Sequence, residues 1–213
     1  MSKNLKISVA LVVAALIAVL AIANASGDDS TAAPADDPSD RVVRPDSQRL
    51  STAEDGKVTF VEFLDFECEA CAAAYPAIEE LRDDYDGRVT FVVRNFPLHN
   101  NSEAAARTAE AAAEQGKFEQ MYDMLFQTQT AWGEKDTSQE DVFFGYAEQL
   151  GLDMEQFRAV YDDPATLAKI RRDKADGTEL GVDGTPTFFL NGDKVEVSSL
   201  AELIELIDAA LAA

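Results

Sequence analysis

Cysteine, histidine and tryptophan are almost missing from this chain of 213 residues, which has two, one and one of them. The two cysteines, Cys68 and Cys71, lie three apart, so no disulfide framework staples the fold, and all cysteine chemistry is confined to one spot. Cations are scarce too: 18 Lys and Arg stand against 40 Asp and Glu, a formal charge of 18 − 40 = −22. A binder of phosphate backbone needs a basic patch, and here the cations are scattered among acids, which excludes nucleic acid as a partner and electrostatic adhesion to anionic lipid. The chain is otherwise 46% hydrophobic and 27% charged, a globular composition that sets aside collagen-like, wholly disordered and polytopic membrane classes.

Lys3 and Lys6 precede an uncharged apolar run from Ile7 to Ile22, and Ala23-Asn24-Ala25 follows with a small-x-small pattern. This reads as an export segment, residues 1–25, either cleaved after Ala25 or kept as a membrane anchor. In both cases the lysines stay on the cytoplasmic side and the acidic remainder crosses. No aromatic residue appears before Phe60, and residues 26–48 consist mainly of Asp, Ala, Ser, Thr and Pro. That stretch is expected to be a disordered acidic linker, because it buries too little surface to offset its chain entropy. A domain would follow from Arg49 to Ala213.

Within it, Lys57 to Leu64 and Arg88 to Arg94 are rich in β-branched and aromatic residues and read as buried strands. A helix is expected between them, Cys71 to Tyr85, with Pro76 kinking it, giving a right-handed βαβ unit. From residue 101 to 173 the pattern is wholly helical: Ser102 to Gln129, Ser138 to Leu150, Met154 to Tyr161, and a further helix from Ala165 to about Leu180. Strand character returns at Thr187 to Leu190, then Asn191-Gly192 signals a hairpin whose second strand is Lys194 to Val197. Ser199 and Glu202 form a capping box for a last helix. The order is βαβ, helical block, β-hairpin, helix.

Cys68-Glu69-Ala70-Cys71 follows the first strand and opens its helix. There the first cysteine meets unpaired backbone N–H groups, whose partial positive charge stabilises a thiolate. A zinc half-site competes with this reading, but zinc takes four ligands and the rest of the chain offers no cysteine and one histidine, His99. A chemically idle pair is the other alternative. A redox pair, with no metal and no cofactor beyond the Cys68–Cys71 disulfide itself, is the favoured reading. Glu62 stands in the middle of an apolar strand, where a carboxylate is costly unless paired; an exposed strand edge is its ordinary explanation. His99 is expected to be a surface or capping histidine. Trp132 and the phenylalanines Phe63, Phe66, Phe188 and Phe189 are expected to be mostly core.

The stretch VEFLDFECEAC, the proline-bearing helix after it, the strand ending in RNFPL and the segment GTPTFFLNG together resemble the DsbA-like thiol–disulfide oxidoreductases of the thioredoxin superfamily, in particular their membrane-anchored extracytoplasmic branch. The likeness runs from Lys57 to Ala213. It implies an α/β, thioredoxin-like fold with an inserted helical domain at about residues 101–173. Cys68 would be the attacking sulfur and Cys71 the buried resolving one. Pro186 would be a cis-proline facing the pair, with Gly184 and Thr185 offering backbone groups to an extended substrate peptide. Glu62, six residues before Cys68, would be a buried acid of raised pKa that exchanges a proton with Cys71. Relatives often place proline, histidine or an aromatic between the cysteines. Here Glu67 and Glu69 flank Cys68 and Ala70 precedes Cys71, so these three are read as tuning the potential, with the glutamates making Cys68 less acidic than in the strongest oxidants.

The function implied is an extracytoplasmic dithiol oxidase acting on exported proteins and served by a membrane redox partner. Two alternatives stay open: a reductase or isomerase of exported thiols, and a non-catalytic thioredoxin-like binding module or chaperone.

Overall fold

A computed structural model describes residues 38–213. The expected export segment, and the linker as far as residue 37, lie outside the described residues. The remainder of the expected linker is not a linker: Pro38–Val42 is a short helix (α1) and Gln48–Ser51 a strand (β1). Val42 is buried, and Arg44 holds Asp176 through two bonds, Nε to Oδ2 at 2.9 Å and Nη2 to Oδ1 at 2.8 Å. Composition misled here because ionic docking to a distant helix leaves no apolar pattern in the segment that docks.

Thr59–Leu64 (β2) and Thr90–Asn95 (β3) pair in parallel, from Thr59 opposite Thr90 to Leu64 opposite Asn95. The crossover helix α2, Glu69–Asp84, runs through Pro76 without ending. Thr187–Leu190 (β4) lies antiparallel to β2, and Asp193–Val195 (β5) antiparallel to β4, shorter than the expected return strand. Asn191 and Gly192 both take positive φ, 51° and 93°, as a two-residue hairpin turn requires. The five strands stand in the order β1-β3-β2-β4-β5.

Both faces of the sheet are covered, which is why β2 and β3 read as continuous apolar runs. On one face Phe60 and Phe91 meet Ile78 and Leu81 of α2 and Leu203 and Ile207 of the last helix. On the other, Val61, Phe63, Val92 and Phe189 pack with Val42, Phe96 and Val182.

Between β3 and β4 the chain is helical: α3 Ser102–Ala113, α4 Phe118–Gln127, α5 Gln129–Trp132, α6 Glu140–Gln149, α7 Met154–Asp162 and α8 Pro164–Glu179. The single helix expected over Ser102 to Gln129 is two, parted at Gly116, whose φ of 67° no helix interior accommodates. In α8, Gly177 lets the helix approach the sheet: a Cβ there would sit 2.9 Å from ring carbons of Phe63 and Phe96. The last helix, α9, Leu200–Ala212, is capped by Ser199, whose Oγ accepts from Glu202 N. Glu202 returns the bond to Ser198 N rather than to Ser199.

Candidate active site

β2 ends at Leu64, and four residues later Cys68 stands as the N-cap of α2, with φ −71° and ψ 122°. Its N–H donates to Asp65 O at 3.1 Å, which closes the turn. Because β4 is antiparallel to β2, with Phe63 opposite Thr187, residues 184–186 fall beside the end of β2 where Cys68 emerges. The Thr185–Pro186 bond is cis. The Cys68 thiol donates to Thr185 O at 3.3 Å. The structure thus brings together Cys68, Cys71, Thr185 and Pro186, four residues expected at the site. Thr187 Oγ1 donates to Gly184 O at 2.7 Å, which braces the cis turn from behind.

The two cysteines are free and unlike one another. Cys68 is 9% exposed and Cys71 1%. A hydrogen bond from the Cys71 thiol holds the Cys68 sulfur as a thiolate and pulls its pKa down to about 5 against the opposing cost of burial, helped by Thr185 and by the N–H groups of Cys71 and Ala70. The same bond, with burial and the field of Glu62, pushes Cys71 far above the usual thiol range. A disulfide between these two has one sulfur that leaves easily and one that must be given a proton.

Glu62 is 4% exposed, so the strand-edge explanation does not apply. Burial raises its pKa to about 8, with the charges of Glu79 and Cys68 adding to the rise. No hydrogen-bond partner for its carboxyl occurs among the described residues. Tyr122 Oη and Glu79 Oε1, both tied electrostatically to Glu62, are likewise buried without a partner. An acid in this setting keeps its proton at neutral pH and can deliver it to Cys71.

Glu67 does not face the sulfur as expected. It is buried, and its carboxylate turns to the helical block: Oε2 accepts from Asn101 N at 2.6 Å and Oε1 from Glu134 N at 3.1 Å. It therefore serves the start of α3, a helix N-terminus that favours an anion. Glu69 is exposed, where water screens it.

Two neighbours of the site, Asp65 and Gln129, carry no signal in the sequence, and a third, His99, reads there as surface or capping. Asp65 is buried, and its carboxylate binds Glu67 N at 2.8 Å, Leu98 N at 2.8 Å and His99 Nδ1 at 2.6 Å. His99 is exposed, as expected of a surface histidine, and is also a partner of the active-site turn. Burial lowers its affinity for a proton, but the bond to Asp65 and the charges of Asp65 and Cys68 raise the pKa above the usual value. Gln129 Nε2 donates to Phe66 O at 2.8 Å and Cys68 O at 2.9 Å. An Asp after a strand reads as a turn residue, and a Gln in a helical run reads as surface, so neither could be singled out. Trp132, Phe63, Phe66 and Phe189 are core as expected, and Phe188 is half-buried.

Among the described residues no cluster of three or more His, Cys, Asp or Glu is arranged to hold a metal ion, and no helix is long and apolar enough to cross a membrane.

A thioredoxin family model, described as "Thioredoxin", matches residues 48–209. A thioredoxin-like oxidoreductase from Silicibacter pomeroyi is 30% identical and superposes with a TM-score of 0.68, covering 82% of this chain and 98% of that one. The α-DsbA1 of Wolbachia pipientis superposes with a TM-score of 0.71 over 82% of this chain and 96% of that one; at 20% identity it speaks for the fold. Among curated sequences, a Na(+)/H(+) antiporter NhaA of Herminiimonas arsenicoxydans is 36% identical over 165 residues, 78% of this chain. The chain spans only about a quarter of the length of that relative, 26%.

Proposed function

The chain belongs to this thioredoxin family, and from that premise we propose that it is a thiol–disulfide oxidoreductase of DsbA-like type, a dithiol oxidase of exported proteins. A substrate thiolate attacks Cys68 Sγ of the Cys68–Cys71 disulfide. The mixed disulfide forms and Cys71 departs as a thiolate, taking the proton of Glu62. A second substrate thiolate then attacks the substrate sulfur bound to Cys68, which leaves as a thiolate. The substrate loses two electrons as its disulfide closes, and the pair on the enzyme gains them. Gly184, Thr185 and Pro186 present backbone groups on which an extended substrate segment can pair as a strand.

The observation that carries the direction is the asymmetry of the pair. A Cys68 held to a pKa of about 5 stabilises the reduced form, and a stabilised reduced form makes the disulfide an oxidant. The value lies between about 3.5 for DsbA and about 7 for thioredoxin, so the potential is expected between those of the two, which are roughly −120 and −270 mV. Equilibration of the domain from residue 38 onward with glutathione buffers measures it. A value above about −200 mV supports the oxidase; one near −270 mV supports a reductase instead. A Cys68→Ser variant that retained full activity would make the protein a binding module.

The side of the membrane follows from Lys3, Lys6 and the apolar run 7–22, which hold an acidic domain outside the cytoplasm, cleaved or anchored. A membrane redox partner that takes electrons from the reduced pair completes the cycle. The antiporter activity named for the curated relatives is not carried over, since most of their length has no counterpart in this chain.

A further inference from the structure

We propose that Gln129 of the helical block is a positioning residue for the reactive sulfur, holding the turn that carries Cys68 from a helix outside the thioredoxin core. This rests on the reading of Cys68 and Cys71 as a redox pair. An amide nitrogen has two N–H groups, and both of those on Gln129 are directed at one turn: Phe66 O at 2.8 Å and Cys68 O at 2.9 Å. The two acceptors lie on either side of Glu67, so a planar donor fixes the Phe66–Glu67 and Cys68–Glu69 peptide planes, which bracket the peptide leading into Cys68. Cys68 O already accepts the first bond of α2, from Ala72 N at 3.1 Å. Gln129 supplies a second donor there, and for Phe66 O it is the one donor found among the described residues.

The donor itself is held on both sides. Gln129 is buried, in the four-residue helix α5. At the far end of α5, Trp132 Nε1 donates to Leu125 O at 3.2 Å and its ring stands edge-on to Phe143 at 4.9 Å. Gly133 closes over Gln129 so tightly that a Cβ would lie 3.0 Å from Gln129 O and 3.4 Å from its Cγ. Phe126 also packs at a tilt against Phe66, ring centroids 5.2 Å apart. The helical block therefore grips the turn at Phe66 and Cys68. A turn free to rotate would aim the sulfur away from the N–H groups of Ala70 and Cys71 at the start of α2, which favour its thiolate. The insertion thereby sets part of the acidity of Cys68, a role that a mere cover over the site would not have.

The test uses Gln129→Met, which fills the same volume without donors, in the domain as it stands. Two quantities are read: the midpoint of Cys68 alkylation against pH, and the equilibrium of the pair with glutathione. Loss of both bonds is expected to raise the midpoint by about one pH unit and to shift the equilibrium about tenfold toward the disulfide. Rescue is expected from Gln129→Asn only in part, since the shorter side chain reaches one carbonyl. A midpoint and an equilibrium within twofold of the parent would overturn the proposal, whatever happens to the melting temperature. Should Gln129→Met not fold, Gly133→Ala carries the test. It keeps the amide but displaces it, with a shift of about threefold in the same direction expected and an unmoved equilibrium overturning the proposal. A parent protein that failed to exchange with glutathione at all would instead sink the redox reading on which this depends.

Discussion

Two polar regions are buried on opposite faces of the central strand pair, and they are built on opposite principles. Arg94 of β3 is fully buried, and its guanidinium reaches Asp176 at 2.6 Å and Asp173 at 3.0 Å, while Arg44 grips Asp176 from the other side. Two cations face two anions, and Arg94 Nη1 also donates to Arg41 O and Val42 O, tying down the N-terminal segment. Across the sheet, Glu62 has no cationic partner among the described residues; its electrostatic neighbours Glu79 and Cys68 both oppose its charge. Balanced charge holds the first region together. Burial, with unbalanced charge adding to it, keeps a proton on the acid of the second, which is what acid–base work at neutral pH requires. The chain tolerates the destabilising region only where the sulfur chemistry can use it.

The largest effect is expected from breaking the balanced side. Arg94→Met leaves Asp173 and Asp176 buried without its guanidinium and removes the two hydrogen bonds to the carbonyls of residues 41 and 42. A loss of about 3–5 kcal/mol in urea unfolding is expected, together with early proteolysis between residues 38 and 48. The alkylation midpoint of Cys68 should not move, because Arg94 acts on the other face. A loss below about 1 kcal/mol would mean that the network is ornamental and the segment is held by something else.

Repairing the unbalanced side should do the reverse, raising stability and slowing chemistry. The unfolded chain releases the proton of Glu62 near pH 4.3 and the folded chain near 8. Between those values the folded state holds the extra proton, so stability falls as pH rises, by up to about 1.4 kcal/mol per pH unit, and levels off above 8. Glu62→Gln removes that slope. In the disulfide form, where neither cysteine titrates, its unfolding free energy should fall less steeply than the parent's from pH 5 to 8, keeping the slope that His99 contributes, and exceed the parent's at pH 8. Thiol exchange at pH 7 should slow by about 10- to 100-fold for want of a proton for Cys71. Unchanged kinetics with a flattened profile would separate the buried acid from the reaction.

The contrast between the two regions also explains what the sequence disclosed. β2, β3, the hairpin at Asn191-Gly192 and the cysteines at the start of α2 are encoded by neighbours in the chain, through alternation, turn residues and helix-start chemistry. Glu62 was legible for a related reason, since an acid among Val61, Phe63 and Leu64 is conspicuous without knowing its partners. The balanced region was not legible, because Arg94 meets Val42 and Asp176 only after the chain has folded, 52 and 82 residues away. Hence residues 38–48 read as tether. Glu67 misled in the opposite sense: adjacent to Cys68 in sequence, it is directed in space at the start of α3. Pro186 was read as cis through resemblance, for an isolated X-Pro carries little information about its isomer.

The smallest expected effect probes the boundary between the two principles at a single hydroxyl. Thr185 Oγ1 is buried and has no hydrogen-bond partner among the described residues while Cys68 is a thiol donating to the Thr185 carbonyl. Once Cys68 ionises, the sulfur ceases to donate and becomes an acceptor, and the nearby hydroxyl can turn to it. Thr185→Val keeps the shape and the backbone carbonyl and deletes only that donor. In the disulfide form no thiolate is present, so removing an unpaired buried hydroxyl should leave stability equal or raise it by up to about 1 kcal/mol. In the reduced form the thiolate loses one of its supports, and the alkylation midpoint should rise from about 5 by a few tenths to one pH unit. One substitution thus moves stability and thiol acidity in ways that a purely structural threonine would not. An unmoved midpoint would leave Cys71, Ala70 and the turn held by Gln129 as the supports of the thiolate.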